Sequence, residues 1–543
     1  MSDSRRIVVP TDDSAGQSGV WLLDLDVGGR VERFALAEYE ITSETGEVLR
    51  YRGGLAPLVR SLGTGGDQQG ITIDDNVTDW SELEARGQAI DWSSAVLRWW
   101  YPGQLLEQVV SVMSGVVVAS EYAHPDAPTR LVATLDSRAA VRATPYPDGD
   151  AVIDATSWTH TVGVEVIGSK SFGMFPPTVI GYPGSGDTPW SEPTPAVPAF
   201  LVSCDGTTAS KMLIGFDATL DAATVWSFDV DGSASFALTE VAAVATSTDL
   251  EGRGVTYADF DAGVVLPIED HEYAVAFNND TGYGGGILWR GSVLRGLGDV
   301  LLWALEKSGV PFDADLQEGQ AAKLNEYKLD TYIGTQQLDM ERWIETSLVP
   351  LFQLRRMRSG RGLWYRFVDW RATAESAVAW LDVEAGQLTP TSAVQTLGNA
   401  VYNKATLEYA LNVSSGAYMQ RQVIDAERPS LYTERYIQSP ECRASQALRG
   451  VLERPPVRTP LLWSDTTAAA VLQSWVARDA HPLQGRGYEG RQLDRLLPGD
   501  VVVVSDARAR MVERVALVDD VRIGGARTGI DVVFLPSLAR LTT

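Results

Sequence analysis

The chain has 543 residues, enough for about three to four domains, because a single hydrophobic core stops growing well below that length. With 45% hydrophobic and 21% charged residues it has ample material for a packed interior, which excludes a disordered or low-complexity polymer. A formal net charge of −26 repels phosphate backbones and anionic lipid, and so argues against sequence-independent nucleic-acid binding through a basic face.

The opening MSDSRRIVVPTDDSAG has no apolar run of signal-peptide length, and no segment approaches the roughly 18 apolar residues of a membrane helix. The expectation is a soluble protein made and used without secretion. Residues 1–155 then read as strands with period-2 alternation: Trp21 to Asp26, a turn at Val27-Gly28-Gly29-Arg30, Val31 to Thr42, a Gly46 turn, and Val48 to Arg52. Ala95 to Trp100, a Pro102-Gly103 turn, Gln108 to Ser120 and Leu131 to Leu135 continue the pattern and predict a compact antiparallel barrel or sandwich.

Residues 156–290 are richer in Gly, Pro, Ser, Thr and Ala and predict a β-rich accessory or inserted domain. The stretch Pro189 to Pro198 is expected to be a loop, since proline cannot donate to a central ladder. Val225 to Val230 and Ser233 to Leu238 flank Asp231-Gly232, the dipeptide suited to a type I′ hairpin. Over 291–372 the pattern turns to α+β. Asp299 is the expected N-cap of a helix carrying Leu301, Leu302 and Leu305, with Gly309 past its end and Pro311 beyond. A second helix, Asp339 to Leu348, is expected to stop before Pro350, followed by a hairpin, Leu351 to Arg358 and Leu363 to Trp370. Over 373–543 the predicted elements are a strand within Val401 to Leu411, one helix from Asp465 to Ala480, and strands at Val501 to Val504, Met511 to Ile523 and Ile530 to Leu535. The predicted fold is therefore mainly β with an α+β middle: two barrel-like end domains plus an extra β domain.

Motifs that could carry chemistry are sparse. Cys204 and Cys442 lie too far apart in sequence for a CxxC site, and His124, His160, His271 and His481 form no HExxH or HxH pair. Gly296-Leu297-Gly298 opens a helix as a dinucleotide loop does, but Leu301 replaces the third glycine and Asp299 puts a carboxylate where phosphate would sit. Asp229 to Ser233 faintly matches a calcium loop, yet Ala234 holds the place that needs glycine; a hairpin turn explains it better, and Asp24 and Asp26 beside Gly28-Gly29 read the same way. Gly184-Ser185-Gly186 lacks the spacing of a hydrolase elbow. No catalytic, cofactor-binding or metal-ligating residue is assigned, and a non-enzymatic protein is expected. Arg355, Arg356, Arg358 and Arg361 form the strongest basic island, either a solvated outer face or a dock for an acidic partner or DNA phosphates. Trp99-Trp100-Tyr101 and Trp364 to Trp370 are read equally as interface anchors or as core.

Three groups of segments resemble the tail hub proteins of long-tailed bacteriophages. The first comprises Val300 to Pro311, Leu324 to Ile333 and Trp343 to Phe352; the second is Asn403 to Leu411 (NKATLEYAL); the third pairs Leu497 to Val504 with Arg514 to Val521. The resemblance covers about a third of the chain, mostly past residue 290, and fits 156–290 least well. It implies a structural virion protein at the distal end of the tail, in which each subunit brings two related barrels, so that a homotrimer presents pseudo-sixfold symmetry. Implied partners are the distal tail protein, the tail tube, the tape measure protein, and threefold tip, fibre or receptor-binding proteins. DNA would cross an acidic lumen transiently, without specific binding; no cofactor and no membrane span are implied. The alternative reading is a tail-tip adhesin that grips a host glycan with 156–290 through tryptophans such as Trp190 or Trp226. A tip enzyme that cuts cell-wall polymer is a third class without support from any motif.

Overall fold

The computed structural model describes residues 19–147, 178–181 and 196–536 apart from short interruptions, and for 196–285 it describes the backbone of the strands. The chain is mainly β, with helices concentrated in its middle and an eight-stranded sheet at either end.

The first sheet contains β1 (Val20–Val27), β2 (Arg30–Ala35), β3 (Tyr39–Thr42), β4 (Val48–Gly53), β6 (Gln68–Asp74), β7 (Ser94–Trp100), β8 (Val110–Tyr122) and β9 (Arg130–Asp136), in the order β3-β4-β2-β1-β7-β8-β9-β6. Alternation along β1 sends Leu23, Leu25 and Val27 to one core and Leu22 to a second, smaller one with Ala35, Ile41, Tyr51 and Trp100. Gly28 and Gly29, at φ 61° and 86°, form the two-residue turn to β2, and Asp26 Oδ1 accepts the Gly29 N–H at 3.0 Å. This turn accounts for Asp26 beside Gly28-Gly29, whereas Asp24 pairs with Arg33 and Arg98. The predicted single run Val31 to Thr42 divides at Leu36-Ala37-Glu38, because β2 pairs parallel with β4 whereas β3 pairs antiparallel with it. A six-residue helix, α1 (Trp80–Ala85), seals one end by burying Trp80, whose indole donates to Thr129 O at 3.0 Å. A two-residue strand, β5 (Arg60–Ser61), leaves this unit and joins the last one.

The accessory region holds β10 (Ala196–Asp205), β11 (Thr208–Phe216), β12 (Ala222–Asp229), β13 (Ala237–Glu240), β14 (Thr246–Leu250), β15 (Arg253–Asp259) and β16 (His271–Asn278), ordered β13-β12-β16-β10-β11-β15-β14. Two expectations are corrected here. Ala196 to Pro198 belong to the central strand β10 and not to a loop; Ala196–Ala199 pair with β16 and Phe200–Asp205 with β11, so Pro198 lies where the strand is paired on one side only. The hairpin of β12 and β13 exists, but Trp226 opposes Leu238, one residue away from the register that a two-residue Asp231-Gly232 turn imposes. The Asp231-Gly232 dipeptide, Gly184-Ser185-Gly186, Trp190, His124 and His160 lie outside the described residues.

In the middle, α2 (Leu297–Ser308) ends at Gly309 with φ 67°, as its C-cap glycine predicts, but its N-cap is Gly296 and not Asp299. Asn325, at the end of α3 (Ala314–Leu324), reaches back to accept the Asp299 N–H at 3.0 Å. The second predicted helix starts on its Asp339 cap yet runs through Pro350: α4 (Met340–Trp343) passes via a π-helical stretch, Ile344–Leu348, into α5 (Val349–Phe352). Pro350 falls just past that π-helical stretch, whose wider turn bonds Val349 N–H to Ile344 O and accommodates a residue with no N–H. The hairpin β17 (Leu354–Ser359) and β18 (Gly362–Phe367) follows as expected.

The last part has two destinations. Strand β19 (Ala379–Asp382) and, after an excursion, β24 (Gln484–Gly490), β25 (Val501–Asp506), β26 (Met511–Ile523) and β27 (Thr528–Phe534) form the closing barrel-like sheet, in the order β19-β25-β26-β27-β24, with β5 on β26 and short strands Thr389–Pro390 and Gln395–Thr396 on β24. The excursion holds β20 (Ala405–Leu411), β21 (Tyr418–Asp425), β22 (Arg435–Gln438), α6 (Pro440–Arg449), β23 (Val457–Arg458) and α7 (Asp465–Asp479). It contains two helices where one was expected: α6, capped by Ser439, begins at Pro440 and buries only Cys442 and Ser445 within it, too narrow an apolar stripe to register in sequence. Leu407, Tyr409, Val471, Leu472 and Trp475 pack with α2 and α4 in the central α+β core.

The inward faces of the first and last sheets share one hydrophobic core, in which Trp21, Leu23, Leu97 and Leu135 meet Val502, Val504, Val532 and Phe534. Strand β26 serves that core along its whole length because of a bulge between Val518 and Asp520. Ala516 and Val518 face inward before it and Val521 and Ile523 after it, a parity that an unbroken strand cannot supply.

Candidate functional site

The bulge re-aims two neighbouring carboxylates. Asp520 is buried and accepts the Ser61 hydroxyl of β5 at 2.7 and 2.9 Å, while Asp519 points the other way and pairs with Arg355 of the central hairpin at 2.9 Å. A single irregularity in β26 therefore ties the last sheet both to the first sheet and to the middle of the chain.

The hairpin β17–β18 is the second tie, and it corrects the reading of the arginine island as a solvated face or as a dock for partner or DNA. Arg358, 10% exposed, pairs with Asp67 of the first unit; Arg356 reaches Asp67 at 3.3 Å, Glu341 at 3.0 Å and Glu345 at 2.9 Å; Arg361 pairs with Asp315 at the surface. The hairpin tip sits on β8: Gly360 N donates to Ser111 O at 2.8 Å and Ser114 Oγ donates to Gly360 O. A Cβ on Gly360 would lie 2.1 Å from that of Ser111, and one on Gly362, at φ 135°, would lie 2.2 Å from Pro311 O. Both turn glycines are thus required by close approach. The island is a bolt between three parts of one chain.

Other ties follow the same logic. The Leu497-Pro498-Gly499-Asp500 turn entering β25 is closed by Asp500, which accepts Leu497 N at 2.7 Å through Oδ2 and Arg366 Nη2 at 2.6 Å through Oδ1. Asn403 is fully buried, donating to Ser445 Oγ and Gly450 O and accepting Leu452 N at 2.7 Å. Tyr101, just past β7, donates its hydroxyl to Asp494 in the 3-10 turn between β24 and β25, whose carboxyl burial pushes up. Trp99, Trp100 and Trp364 are buried, and Trp370 is half-buried, so these aromatics are chiefly core. The Gly296-Leu297-Gly298 loop presents no open helix end: Asn325 covers it, and a Cβ on Gly298 would lie 2.5 Å from Ala321 Cα, so the glycine serves the α2–α3 contact. Cys442 is buried and burial pushes its thiol up to about 12, which makes it unreactive. His481 is buried too, with burial lowering its pKa. Among the described residues no group of three His, Cys, Asp or Glu could hold a metal ion, and no helix is long and apolar enough to cross a membrane.

A deeply buried carboxylate, Asp330, pairs with Arg295 at 2.7 Å. Burial pushes the Asp330 carboxyl up to about 6, with Arg295 opposing. A carboxyl whose folded value exceeds its unfolded value carries a penalty at neutral pH that is relieved as pH falls through about 6. Relative to Asp330→Asn, the unaltered protein should therefore gain about 1 kcal/mol between pH 7 and pH 5 in urea denaturation; a constant difference would contradict the burial argument.

None of Asp67, Asp494, Asp519 or Asp520 was singled out from sequence, because each works through a partner tens to hundreds of residues away. The one available signal was Asp519-Asp520 interrupting the alternation of β26.

No family model matches the chain, and no curated protein matches it. Among solved structures it is similar in architecture to a protein of the native gene transfer agent virion, with 13% identity and a TM-score of 0.38 over 65% of this chain and 87% of that one. It is also similar to the tail protein from Neisseria meningitidis MC58, with 9% identity, a TM-score of 0.31, and 95% of this chain and 97% of that one covered. A third similar structure is the prophage MuSo2 43 kDa tail protein from Shewanella oneidensis, with 10% identity, a TM-score of 0.30, and coverage of 97% and 100%.

Proposed function

We propose that this chain is a structural protein of a phage-type tail, the hub at the distal end of the tail tube. Three copies would adapt the sixfold tube and its distal ring to threefold tip or fibre proteins and line the channel through which the genome leaves. Its place is then the virion, its activity non-enzymatic, and its partners the distal tail protein, the tube, the tape measure protein and the tip or receptor-binding proteins. The division into 1–155, 156–290, 291–372 and 373–543 belongs to the same reading. The observation that carries it is the pair of barrel-like end sheets locked through one core, with the hub-like segments in the joints: Leu497 to Asp500 and Arg514 to Val521 supply the turn and the bulged strand of the closing sheet, and Asn403 is the polar pin of the excursion. A rigid subunit with a large sheet at each end can offer two quasi-equivalent surfaces to a sixfold partner. The net charge of −26 suits a channel wall that DNA must pass without sticking.

The test is native mass spectrometry of the purified full chain, alone and with the distal tail protein from the same genome. A mass of three chains, or a stoichiometry of three to six in the complex, is expected. A strict monomer that leaves a preformed sixfold ring unbound would overturn the proposal.

A further inference from the structure

The end of α6 leaves an apolar corner in solvent. Leu448 is 62% exposed, Val451 60% and Leu452 38%, and Ala447, Pro455 and Pro456 beside them are exposed as well. A lone surface leucine means little, but three large apolar side chains within five residues make a patch that water covers at a cost. The corner is also held still. Asn403, fully buried, donates from Nδ2 to Gly450 O at 2.8 Å and accepts the Leu452 N–H at 2.7 Å, and its own backbone N–H donates to Leu452 O at 2.9 Å. Arg454 N adds a bond to Lys404 O at 2.9 Å. Gly450 turns the chain at φ 72°, and a Cβ built there would meet nothing within 4 Å, so that side of the turn is uncovered.

Two guanidinium groups accompany the patch. Arg443, one helical turn before Ala447, and Arg449, next to Leu448, are both exposed, and among the described residues neither side chain makes an ion pair or a hydrogen bond. Arg454 and Arg458 are instead spent on Asp479 at 3.4 Å and on Glu408 at 2.7 Å. The complement of such a surface is apolar, with carboxylates to spare. A second copy of this chain meets that need, since its 71 acidic residues outnumber 45 basic ones and its net charge is −26. A twofold axis through the corner would set Arg449 against its own image. The contact therefore runs head to tail, the kind that closes into a ring.

We propose that the corner Ala447 to Leu452 is the anchor by which one copy of this chain seats on the acidic surface of the next. Leu448, Val451 and Leu452 lose water in the contact, and Arg443 and Arg449 pair with carboxylates of the neighbouring copy at its rim. Closure at three copies rests on the hub role proposed above, whereas the head-to-tail contact rests on the corner alone. The Asn403 bonds fix the backbone of the corner before the neighbour arrives, so little ordering is left to association. The corner is smaller than the roughly 800 Å² per partner of a stable interface, and it serves as the centre that surrounding surface completes.

The test is sedimentation velocity of the full-length protein over a concentration series. The unaltered chain should assemble into trimers. The variant Leu448→Ser, Val451→Ser should raise the concentration of half-assembly by at least about a hundredfold and Arg449→Glu by about tenfold, with unchanged far-ultraviolet circular dichroism because all three side chains are exposed. Val512→Ser, at a comparably exposed valine of the closing sheet, should leave assembly as it was. Raising the salt from about 0.1 to about 0.5 M should weaken assembly of the unaltered chain, and that of Arg449→Gln less. Corner variants that assemble like the unaltered chain, or a Val512→Ser that loses as much, overturn the anchor and leave the hub reading standing. A dimer in place of a trimer overturns the head-to-tail geometry. Corner variants that still form trimers but no longer bind the ring of the distal tail protein have lost a different occupant, which overturns the second copy. An unaltered chain that stays monomeric at about 100 μM overturns the self-contact, and the hub reading is then decided by ring binding alone.

Discussion

Asp67→Ala should cost about 3–5 kcal/mol, among the largest effects available from a single polar substitution in this chain, because it takes a carboxylate away from Arg358 in a site where the guanidinium is largely out of water. Desolvation of a charged group is tolerated only while its partner stays, so the loss exceeds what the pair contributes over an apolar replacement. Arg356 suffers less, since Glu341 and Glu345 still face it. Thermal denaturation should show a midpoint lower by several degrees for Asp67→Ala and no measurable change for Arg361→Ala, whose pair with Asp315 is 69% and 76% exposed. The double variant Asp67→Leu, Arg358→Met removes both charges and should recover at least about half of the loss. If Asp67→Ala and Arg361→Ala behave alike, the hairpin does not bolt the units together.

The contrast between those two arginines shows what was legible in sequence. Arg355 to Arg361 were visible as a basic island, and the hairpin carrying them was placed correctly, because strand alternation and a Gly-containing turn are local signals. That Arg355, Arg356 and Arg358 turn toward other parts of the chain was not visible, since Asp67 and Asp519 lie in other units and look like any of the 71 acidic residues. Helix α2 with its Gly309 end, α7 with its stripe of Val471, Leu472 and Trp475, and β26 were read from periodicity. Helices α3 and α6 were missed because each buries only two of its residues, Gln317 with Leu324 and Cys442 with Ser445. Pro198 and Pro350 misled for one shared reason. A proline forbids a hydrogen bond at one nitrogen, and the fold accommodates that loss, at a half-paired strand and just past a π-helical turn.

The second large effect concerns the shared core. Trp99 is 3% exposed, packs edge-on to Trp21 with ring centroids 4.8 Å apart, and lies 6.2 Å from the Tyr101 ring. Trp99→Ala should cost about 3–5 kcal/mol from lost burial and the cavity left behind. Its reach is the more telling quantity. Tyr101 holds Asp494 in the turn between β24 and β25, and the side chains around Trp99 belong to a core that continues into Val502, Val504 and Phe534. Hydrogen exchange of the variant should therefore speed up in β25, β26 and β27 by a factor comparable to that in β1 and β7, because strands that share one core open together. The strands β20 and β21, whose buried faces belong to the central core, should keep more of their protection. Were the faster exchange confined to β1 and β7, the two sheets would be separate bodies touching at a surface, and a subunit so jointed could not hold two fixed faces toward a ring. Equal loosening in both sheets is what a single rigid body requires, and the hub role proposed above depends on that rigidity.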